Sequence, residues 1–303
     1  MRVLVTGATG FIGRRLCPAL AEAGHHIVAL SRDPRVALAR LHCLEAAFPW
    51  QPGVSPPPLQ AFDGVEAVVH LAGASTWGRW SAAKKRAIYD SRVTGTRHLV
   101  SALQSLEERP KVLLSASAVG YYGDRGEEVL TEGSTHGSDF LARLCQEWEQ
   151  EACQAQAMGV RVVLLRTGLV LGPAGGLLRL LLLPFRLGLG GPIGSGSQWW
   201  PWVHLEDVVG LVLIALANVE VRGPLNATAP QPVRQREFAR ALGRALGRPA
   251  FLPVPSFALK LALGEAYVTA LTSSRVIPQA AQQLGYAFRY PELEPALRQI
   301  LSG

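Results

Sequence analysis

The sequence contains few cysteines and no long uninterrupted apolar run. Its four cysteines form no CxxC pair and no Cys/His spacing that is typical of a metal site. The most apolar run, 177–183, is interrupted by Arg179 and is too short to span a bilayer. The first residues lead directly into an apolar strand and lack the features of a signal peptide. We therefore expect a cytoplasmic protein with reduced thiols, no metal and no membrane partner.

Acidic residues are also scarce relative to basic ones, 23 against 30, which gives a formal net charge of +7. The basic residues are mostly arginines spread singly along the chain, and their longest run is 84–86. A surface that binds nucleic acid needs clustered cations, so this distribution predicts no nucleic-acid partner. The positive surplus instead favours an anionic small ligand such as a phosphorylated cofactor.

Composition and periodicity predict an α/β fold. With 49% hydrophobic residues, the chain can bury a large core. Up to residue 170, short β-rich apolar runs alternate with helical patterns, which is typical of parallel βαβ units. We predict strands at 2–6, 27–31, 67–71, 111–115 and 161–166, and helices at 13–23, 81–106 and 140–157. A short edge strand or a connector is expected within the proline-rich stretch 49–59.

The strongest local signal is the sequence TGATGFIG at 6–13, which follows the first predicted strand and opens a helix. Gly7 can make the tight turn, Gly10 lets the backbone approach a pyrophosphate, and Gly13 lets the helix pack close to the strand. Thr9, Phe11 and Ile12 lie within the same turn. The new helix offers free N–H groups and a positive dipole end to phosphates. This pattern predicts a dinucleotide site in a Rossmann-type doubly wound parallel sheet.

The end of the second strand distinguishes NAD from NADP. An NAD site usually has an acidic residue there for the ribose 2′-hydroxyl. Here Ser31 and Arg32 offer a hydroxyl and a guanidinium, which suit a 2′-phosphate. Asp33 follows directly, and an Arg32–Asp33 ion pair is the alternative interpretation. We predict NADP(H) as the cofactor.

The predicted strand at 67–71 runs into HLAG at 70–73, which brings small residues to the carboxyl edge of the sheet. A dinucleotide can lie against the backbone there, so Leu71, Ala72 and Gly73 are predicted to line the cofactor site. His70 is interpreted as a packed histidine at the end of the strand rather than a catalytic group.

The amino-acid composition changes after Arg166, where a Gly-, Leu- and Pro-rich stretch begins. We predict an NADP(H)-binding domain at 1–170 and a mixed substrate-side region at 171–303. Part of 200–228 is expected to return to the first domain. The last part, about 248–303, is expected to form a small C-terminal lobe on the substrate side.

Several of these motifs resemble the extended short-chain dehydrogenase/reductase superfamily, in its sugar-nucleotide epimerase branch. They are TGATGFIG, HLAG, SAS at 115–117 and RTG at 166–168. The sequences SR at 91–92, SAVGYYG at 117–123, PFRLGLGGPIGSG at 184–196 and PWVH at 201–204 are similar to an atypical subgroup of NADP-dependent epimerases or oxidoreductases with a C-terminal domain of unknown function. The resemblance covers nearly the whole chain. It implies a cofactor contact for Arg92, with a solvated helix charge as the alternative, and it is consistent with a homodimer.

The sequence departs from that superfamily at its catalytic pair, a tyrosine followed four residues later by a lysine. None of the four lysines follows any tyrosine at this spacing. In the helix where the motif belongs, Phe140 and Leu144 occupy the two places, so Phe140 is predicted to lie beside the cofactor. A phenyl ring cannot transfer a proton, so any acid–base chemistry must come from other residues.

Three residues are candidates for that chemistry. Ser117 lies at the end of the strand predicted at 111–115, where the superfamily keeps a substrate-binding serine, although a turn-forming role is equally consistent. Tyr121 follows closely, with a packed aromatic ring as the alternative. His204 lies beside two acids and suits general-acid work near neutral pH. Asp207 is predicted to cap a helix at 208–217, and Arg186 either clamps an anionic substrate or lies on the surface.

Two classes of function fit these features. The first is an NADP-dependent oxidoreductase that transfers a hydride between NADPH and a small carbonyl or hydroxyl compound. The second is a non-catalytic NADPH-binding protein that senses the cofactor or docks a partner. A sugar-nucleotide epimerase or dehydratase is disfavoured by the missing Tyr/Lys pair.

Overall fold

The computed structural model describes residues 1–173 and 175–302, without the side chain of Ala262. Ala174 and Gly303, both in the region predicted at 171–303, lie outside the described residues. The described strands are β1 (Arg2–Thr6), β2 (His26–Ser31), β3 (Leu44–Pro49), β4 (Ala67–His70), β5 (Val112–Ala118), β6 (Val129–Leu130), β7 (Arg161–Thr167), β8 (Leu169–Leu171), β9 (Trp199–Trp200), β10 (Trp202–His204), β11 (Gly223–Ala227), β12 (Val233–Arg234) and β13 (Arg275–Val276). The described α-helices are α1 (Gly13–Glu22), α2 (Pro34–Arg40), α3 (Ala82–Tyr89), α4 (Gly95–Gln104), α5 (Phe140–Cys153), α6 (Gly176–Arg186), α7 (Leu205–Ala217), α8 (Gln235–Leu246), α9 (Ser256–Leu263), α10 (Val268–Leu271), α11 (Gln279–Gln283) and α12 (Leu293–Ser302).

Seven parallel strands form the central sheet, in the order β11-β7-β5-β4-β1-β2-β3. The central strands are buried on both faces and read as continuous apolar runs, because helices cover each side. The chain leaves β1 towards β2 on one side and later returns to β4 on the other. This reversal places a ligand crevice at the carboxyl ends of β1 and β4. The predicted Rossmann-type doubly wound sheet is confirmed.

The observed elements differ from the predicted ones mainly at interruptions. The helix predicted at 81–106 is two helices, α3 and α4, joined by a π-helical turn at Asp90–Thr94. The edge strand β3 ends at Pro49, so of the two alternatives predicted for 49–59, a short edge strand or a connector, the structure shows the connector. Prolines lack the N–H that a strand donates, and that stretch forms a loop up to the 3₁₀ turn Leu59–Phe62.

The C-terminal part of the chain contributes to the sheet and also forms a second core. Strand β11 pairs in parallel with β7 and extends the sheet at that edge. Helix α7 packs against the sheet through Val208 and Val212. A separate core lies among α6, α8 and α12, around the buried residues Trp202, Phe238 and Leu297. In the described ranges, no helix is both long enough and apolar enough to cross a membrane.

Asp207 is not a helix cap, which corrects the prediction made for it. Helix α7 begins at Leu205, and the cap is His204, whose Nδ1 accepts a hydrogen bond from the Glu206 amide at 3.1 Å. Asp207 is fully buried in the first turn and accepts hydrogen bonds from the amides of Arg289 and Tyr290 at 2.7 and 3.0 Å. Its carboxylate therefore fastens the C-terminal segment to α7.

We expect the substitution Asp207→Ala to lower the free energy of unfolding by about 3 kcal/mol, because it removes a fully buried carboxylate and leaves the partly buried amides of Arg289 and Tyr290 without their acceptor. Urea denaturation followed by circular dichroism measures the loss. The exposed Asp63→Ala is the control and should change stability by less than about 0.5 kcal/mol. An equal effect of the two substitutions would contradict the role assigned to Asp207.

Candidate functional site

The turn after β1 is built from three closely packed glycines, two of which, Gly7 and Gly13, admit no side chain. Gly7 has φ +70°, and a Cβ on it would lie 2.9 Å from the carbonyl carbon of Leu71. A Cβ on Gly13 would lie 2.3 Å from the oxygen of Gly7, whose carbonyl also accepts the amide of Gly10 at 2.9 Å. The backbone therefore folds tightly enough to bring the start of α1 against the end of β1, as predicted for these glycines.

This turn leaves hydrogen-bond donors free at the start of α1. Within the described part of the chain, the amides of Phe11, Ile12 and Gly13 donate to no protein acceptor, and the helix has no side-chain cap. Free N–H groups and the positive end of the helix dipole together bind anions. The start of α1 is consequently a cradle for a phosphate group.

His70 holds the HLAG segment against this cradle. Thr6 Oγ1 accepts the amides of Leu71 and Ala72 at 3.1 and 3.0 Å, so its own proton is donated to His70 Nδ1 at 2.7 Å. The other ring nitrogen then carries a proton and donates to Thr96 Oγ1 at 3.0 Å. Burial lowers the pKa of His70 to about 4, with a further contribution from Arg92. The imidazole is thus a neutral, packed group, as the sequence indicated.

At the end of β2, the acidic residue is already used by the fold. Asp33 caps α2 by accepting the amide of Val36 at 3.1 Å. Ser31 Oγ accepts the Asp33 amide at 3.2 Å and donates to the Asp33 carbonyl at 3.0 Å. Arg32 is exposed and, among the described residues, forms no ion pair, so the alternative Arg32–Asp33 pair is not present. A guanidinium is therefore available at the strand end.

Arg92 brings a second cation to the same edge of the sheet. It lies in the π-helical turn, and a Cβ on Gly73 would lie 3.1 Å from its Cζ. Its Nη1 donates to the carbonyl of Ala74 at 2.9 Å, and its guanidinium lies 5.2 Å from the ring of Trp148. Burial lowers the pKa of Arg92, and no carboxylate of the described chain forms a salt bridge with it. This environment differs from the solvated helix charge considered as the alternative.

Phe11 closes one side of the cradle in a way that sequence reasoning missed. A Cβ on Gly175 would lie 2.1 Å from the Phe11 ring, and one on Gly172 would lie 3.1 Å from it. The signal in the sequence was the pair of glycines 175–176, which permits this close approach. The loop after β8 therefore packs directly on the glycine-rich turn.

Ser117 is part of a buried polar network. Its hydroxyl donates to Glu149 Oε1 at 2.6 Å, and Glu149 accepts two hydrogen bonds from Arg166, each 2.8 Å long. Arg166 also donates to the Tyr122 hydroxyl at 3.1 Å, and that hydroxyl donates to Asn226 at 2.7 Å. Burial alone would lower the pKa of Arg166, but the hydrogen bonds and charge of Glu149 raise it. Sequence reasoning missed Glu149 and Arg166, which lie 17 residues apart on different elements.

Tyr121 packs against this network, and its hydroxyl has no hydrogen-bond partner among the described residues. The Arg166 Cζ is 3.5 Å from the centroid of the Tyr121 ring, and the ring is half-buried. The rings of Tyr122 and His136 pack edge-on at 5.4 and 5.9 Å. Tyr121 thus offers a free polar group just beyond the carboxyl end of β5.

His204, predicted as a candidate general acid, is enclosed in the structure. It is 2% exposed, and its ring stacks on Tyr290 at 3.9 Å. Besides capping α7 through Nδ1, it lies 3.0 Å from Gln299 Oε1 through Nε2. Burial lowers the pKa of His204 despite opposing contributions from Gln299 and the neighbouring acids. Because both ring nitrogens are engaged, we assign it no part in the chemistry.

The place of the usual Tyr/Lys pair is apolar. Phe140 is the first residue of α5, after the Asp139 cap, and its ring packs edge-on against Trp80 at 5.4 Å. Leu144 is buried in the same cluster, beside Trp148. Arg186, considered as a substrate clamp, is exposed at the end of α6. On the face of α5 that carries Phe140 and Leu144, no described side chain replaces the missing tyrosine as a proton donor.

The fold and the glycine cradle define a dinucleotide-binding protein of the Rossmann class. Residues 3–227 match the NAD dependent epimerase/dehydratase family, and residues 254–300 match a domain of unknown function, DUF1731. The chain belongs to the NAD dependent epimerase/dehydratase family.

Similar proteins match along almost the whole length. The chain is 43% identical to the Arabidopsis thaliana protein "Epimerase family protein SDR39U1 homolog, chloroplastic", over 99% of this chain and 87% of that protein. It is 38% identical to "Epimerase family protein YfhF" of Bacillus subtilis, over 100% of this chain and 98% of that protein. The crystal structure of human epimerase family protein SDR39U1 (isoform2) with NADPH superposes with a TM-score of 0.89, at 35% identity and with all of both chains covered.

The titration of His70 should make stability depend on pH. Its ordinary pKa of 6.5 applies to the unfolded chain, and its pKa is about 4 in the folded protein. Between these values the unfolded chain binds a proton that the folded chain does not, so stability falls as the pH falls from 6.5 to 4. The total loss is about 3 kcal/mol, and urea denaturation at a series of pH values measures it.

The variant His70→Gln removes this titration and should flatten that part of the stability profile. The exposed His42→Gln is the matched control and should leave the profile unchanged. If His70→Gln retained the full pH dependence, another group would be responsible for it.

Proposed function

We propose that this protein binds NADP(H) and transfers a hydride between NADPH and a small carbonyl or hydroxyl compound. The observation that carries the cofactor assignment is the end of β2. There Arg32 is exposed and unpaired among the described residues, whereas Asp33 is engaged in capping α2. A guanidinium and the Ser31 hydroxyl suit a 2′-phosphate, for which an acidic side chain would be repulsive. The NADPH in the structure of the human relative supports this choice.

The remaining cofactor contacts follow from the cradle. The free amides of residues 11–13 and the start of α1 would hold the pyrophosphate. Leu71, Ala72 and Gly73 would lie along the dinucleotide, because HLAG is tied to the Gly7 turn through Thr6. Arg92 would add a cation behind Gly73, where its Nη2 and Nε donate no hydrogen bond to the described residues.

NADPH supplies a hydride when bound, and a carbonyl oxygen that becomes an alcohol then requires a proton. Ser117 already donates its proton to Glu149, and His204 is enclosed. Tyr121 has a hydroxyl without a hydrogen-bond partner among the described residues, and its ring is held against Arg166, whose Cζ lies 3.5 Å from the ring centroid. We therefore assign the proton transfer to Tyr121, with Ser117 and Glu149 holding Arg166 in place.

A second candidate function is NADPH binding without turnover, as in a sensor of cofactor state or a partner-docking protein. The observation that favours it is the apolar cluster of Phe140, Leu144 and Trp80, which occupies the position of the usual acid–base pair. The same cofactor site serves both functions, so only an assay of turnover separates them.

Isothermal titration calorimetry with NADPH and NADH tests the cofactor assignment. The wild-type protein should prefer NADPH by about tenfold or more, and Arg32→Ala should abolish the preference by weakening NADPH alone, a loss of about 1.4 kcal/mol. Arg35→Ala, an exposed arginine on α2, is the control. Equal binding of both cofactors by the wild type would overturn the role of Arg32.

An NADPH-oxidation assay with a panel of aldehydes and ketones tests Tyr121. We expect Tyr121→Phe to lower kcat by about a hundredfold with an unchanged Kd for NADPH, because the phenyl ring keeps the Arg166 contact but carries no proton. Tyr290→Phe, whose ring packs on His204, is the control. An unaltered kcat would exclude Tyr121, whereas tight NADPH binding with no turnover of the panel by the wild type would favour the non-catalytic candidate.

A further inference from the structure

The C-terminal half exposes a run of large apolar side chains. Leu180, Leu183 and Leu187 follow one another at helical spacing and share the outer face of α6 and its C-terminal cap. Leu189 is exposed just beyond. Since the opposite side of α6 is buried, this helix is apolar on both faces, although only one face has a partner in the described fold.

A second apolar segment continues this surface. Phe251, Phe257 and Leu261 are 71%, 74% and 79% exposed, and the latter two are four residues apart on α9. The two segments meet between α6 and α9, where the amide of Leu252 donates to the Gly190 carbonyl at 3.3 Å and the amide of Val254 donates to the Pro192 carbonyl at 2.7 Å. We name the combined surface the α6–α9 face. Its apolar members are Leu180, Leu183, Leu187, Leu189, Phe251, Leu252, Phe257 and Leu261.

The charges on the α6–α9 face are all positive. Arg179, Arg186, Arg248 and Lys260 are exposed, and none of them forms an ion pair with a described residue. The sequence contains no Asp or Glu between 168 and 205 or between 238 and 264. Glu265, just after α9, is paired with Lys85, so the two segments themselves carry cations and no acids. A large apolar surface of this kind suits an anionic partner that also accepts apolar groups.

The exposed apolar side chains and the cations of the α6–α9 face disfavour two partners, a second copy of the chain and an amphipathic helix. A second copy of the chain in a two-fold dimer would place the same four cations against one another, without acids to offset them. Phe251, Phe257 and Leu261 are each more than 70% exposed, whereas the side chains that line a helix-binding groove are partly covered by its walls. Protruding apolar side chains beside lysine and arginine are the features with which proteins enter the headgroup region of an anionic bilayer.

We propose that the α6–α9 face binds the surface of anionic lipid bilayers. Phe251, Phe257 and Leu261 would insert among the acyl chains nearest the headgroups, and the arginines and Lys260 would contact lipid phosphates. This contact is peripheral and needs no spanning helix. The prediction of no membrane partner rested on the lack of a spanning apolar run and of signal-peptide features, neither of which a peripheral contact needs. The proposal does not depend on cofactor binding.

Vesicle flotation of the full-length protein tests this proposal. Phosphatidylcholine vesicles with one part in four of phosphatidylglycerol should carry the protein, and pure phosphatidylcholine vesicles should carry at least about tenfold less. The bound fraction should fall as salt screens the cations. Two pairs of substitutions, Phe257→Ser with Leu261→Ser and Arg186→Gln with Lys260→Gln, should each weaken binding by about tenfold.

The control pair is Val219→Gln with Arg222→Gln, an exposed valine and arginine that directly precede the edge strand β11. Circular dichroism and NADPH titration of each variant separate loss of lipid binding from loss of fold. Failure to bind anionic vesicles, or equal binding by the α6–α9 and control variants, would overturn the proposal. A dimer in sedimentation that dissociates only in the α6–α9 variants would also overturn it and would assign the face to self-association.

Discussion

The close contact between the turn after β1 and the segment after β4 is the constraint on which the site depends. The Gly7 turn lies so near Leu71 that no Cβ fits between them, and Thr6 ties the two segments together through one hydroxyl. That hydroxyl is oriented by His70, which is neutral because it is buried. A small set of uncharged hydrogen bonds therefore determines where the crevice lies and which amides face it.

A second constraint is the buried ion pair between Glu149 and Arg166, at the other side of the crevice. It is the polar centre of a site that lacks the usual Tyr/Lys pair. Glu149 and Arg166 satisfy each other, and their neighbours consume the remaining hydrogen bonds. Pairs of this kind contribute little net stability, but they fix the positions of the groups around them. Here they orient Ser117 and bring a cation to the ring of Tyr121.

The sequence was sufficient for the features that arise from local patterns. Strand β1 and the start of α1 fall at the predicted residues, because an apolar run followed by spaced glycines is readable within a dozen residues. The prediction that Asp207 caps α7 was wrong and His204 is the cap, since a cap depends on where the helix begins, which neighbouring residues alone do not determine. The Ser117–Glu149–Arg166 network was missed because its members meet only through tertiary packing.

The π-helical turn at Asp90–Thr94 has a consequence for how this family can vary in length. A π turn contains one residue more than an α-helical turn, so it amounts to an insertion retained within a continuous helix. Removal of one residue there would restore a regular helix and change the directions of the side chains within the turn, Arg92 among them. The guanidinium of Arg92 would then leave Gly73. A change of chain length at this turn would therefore move the cation away from the edge of the crevice.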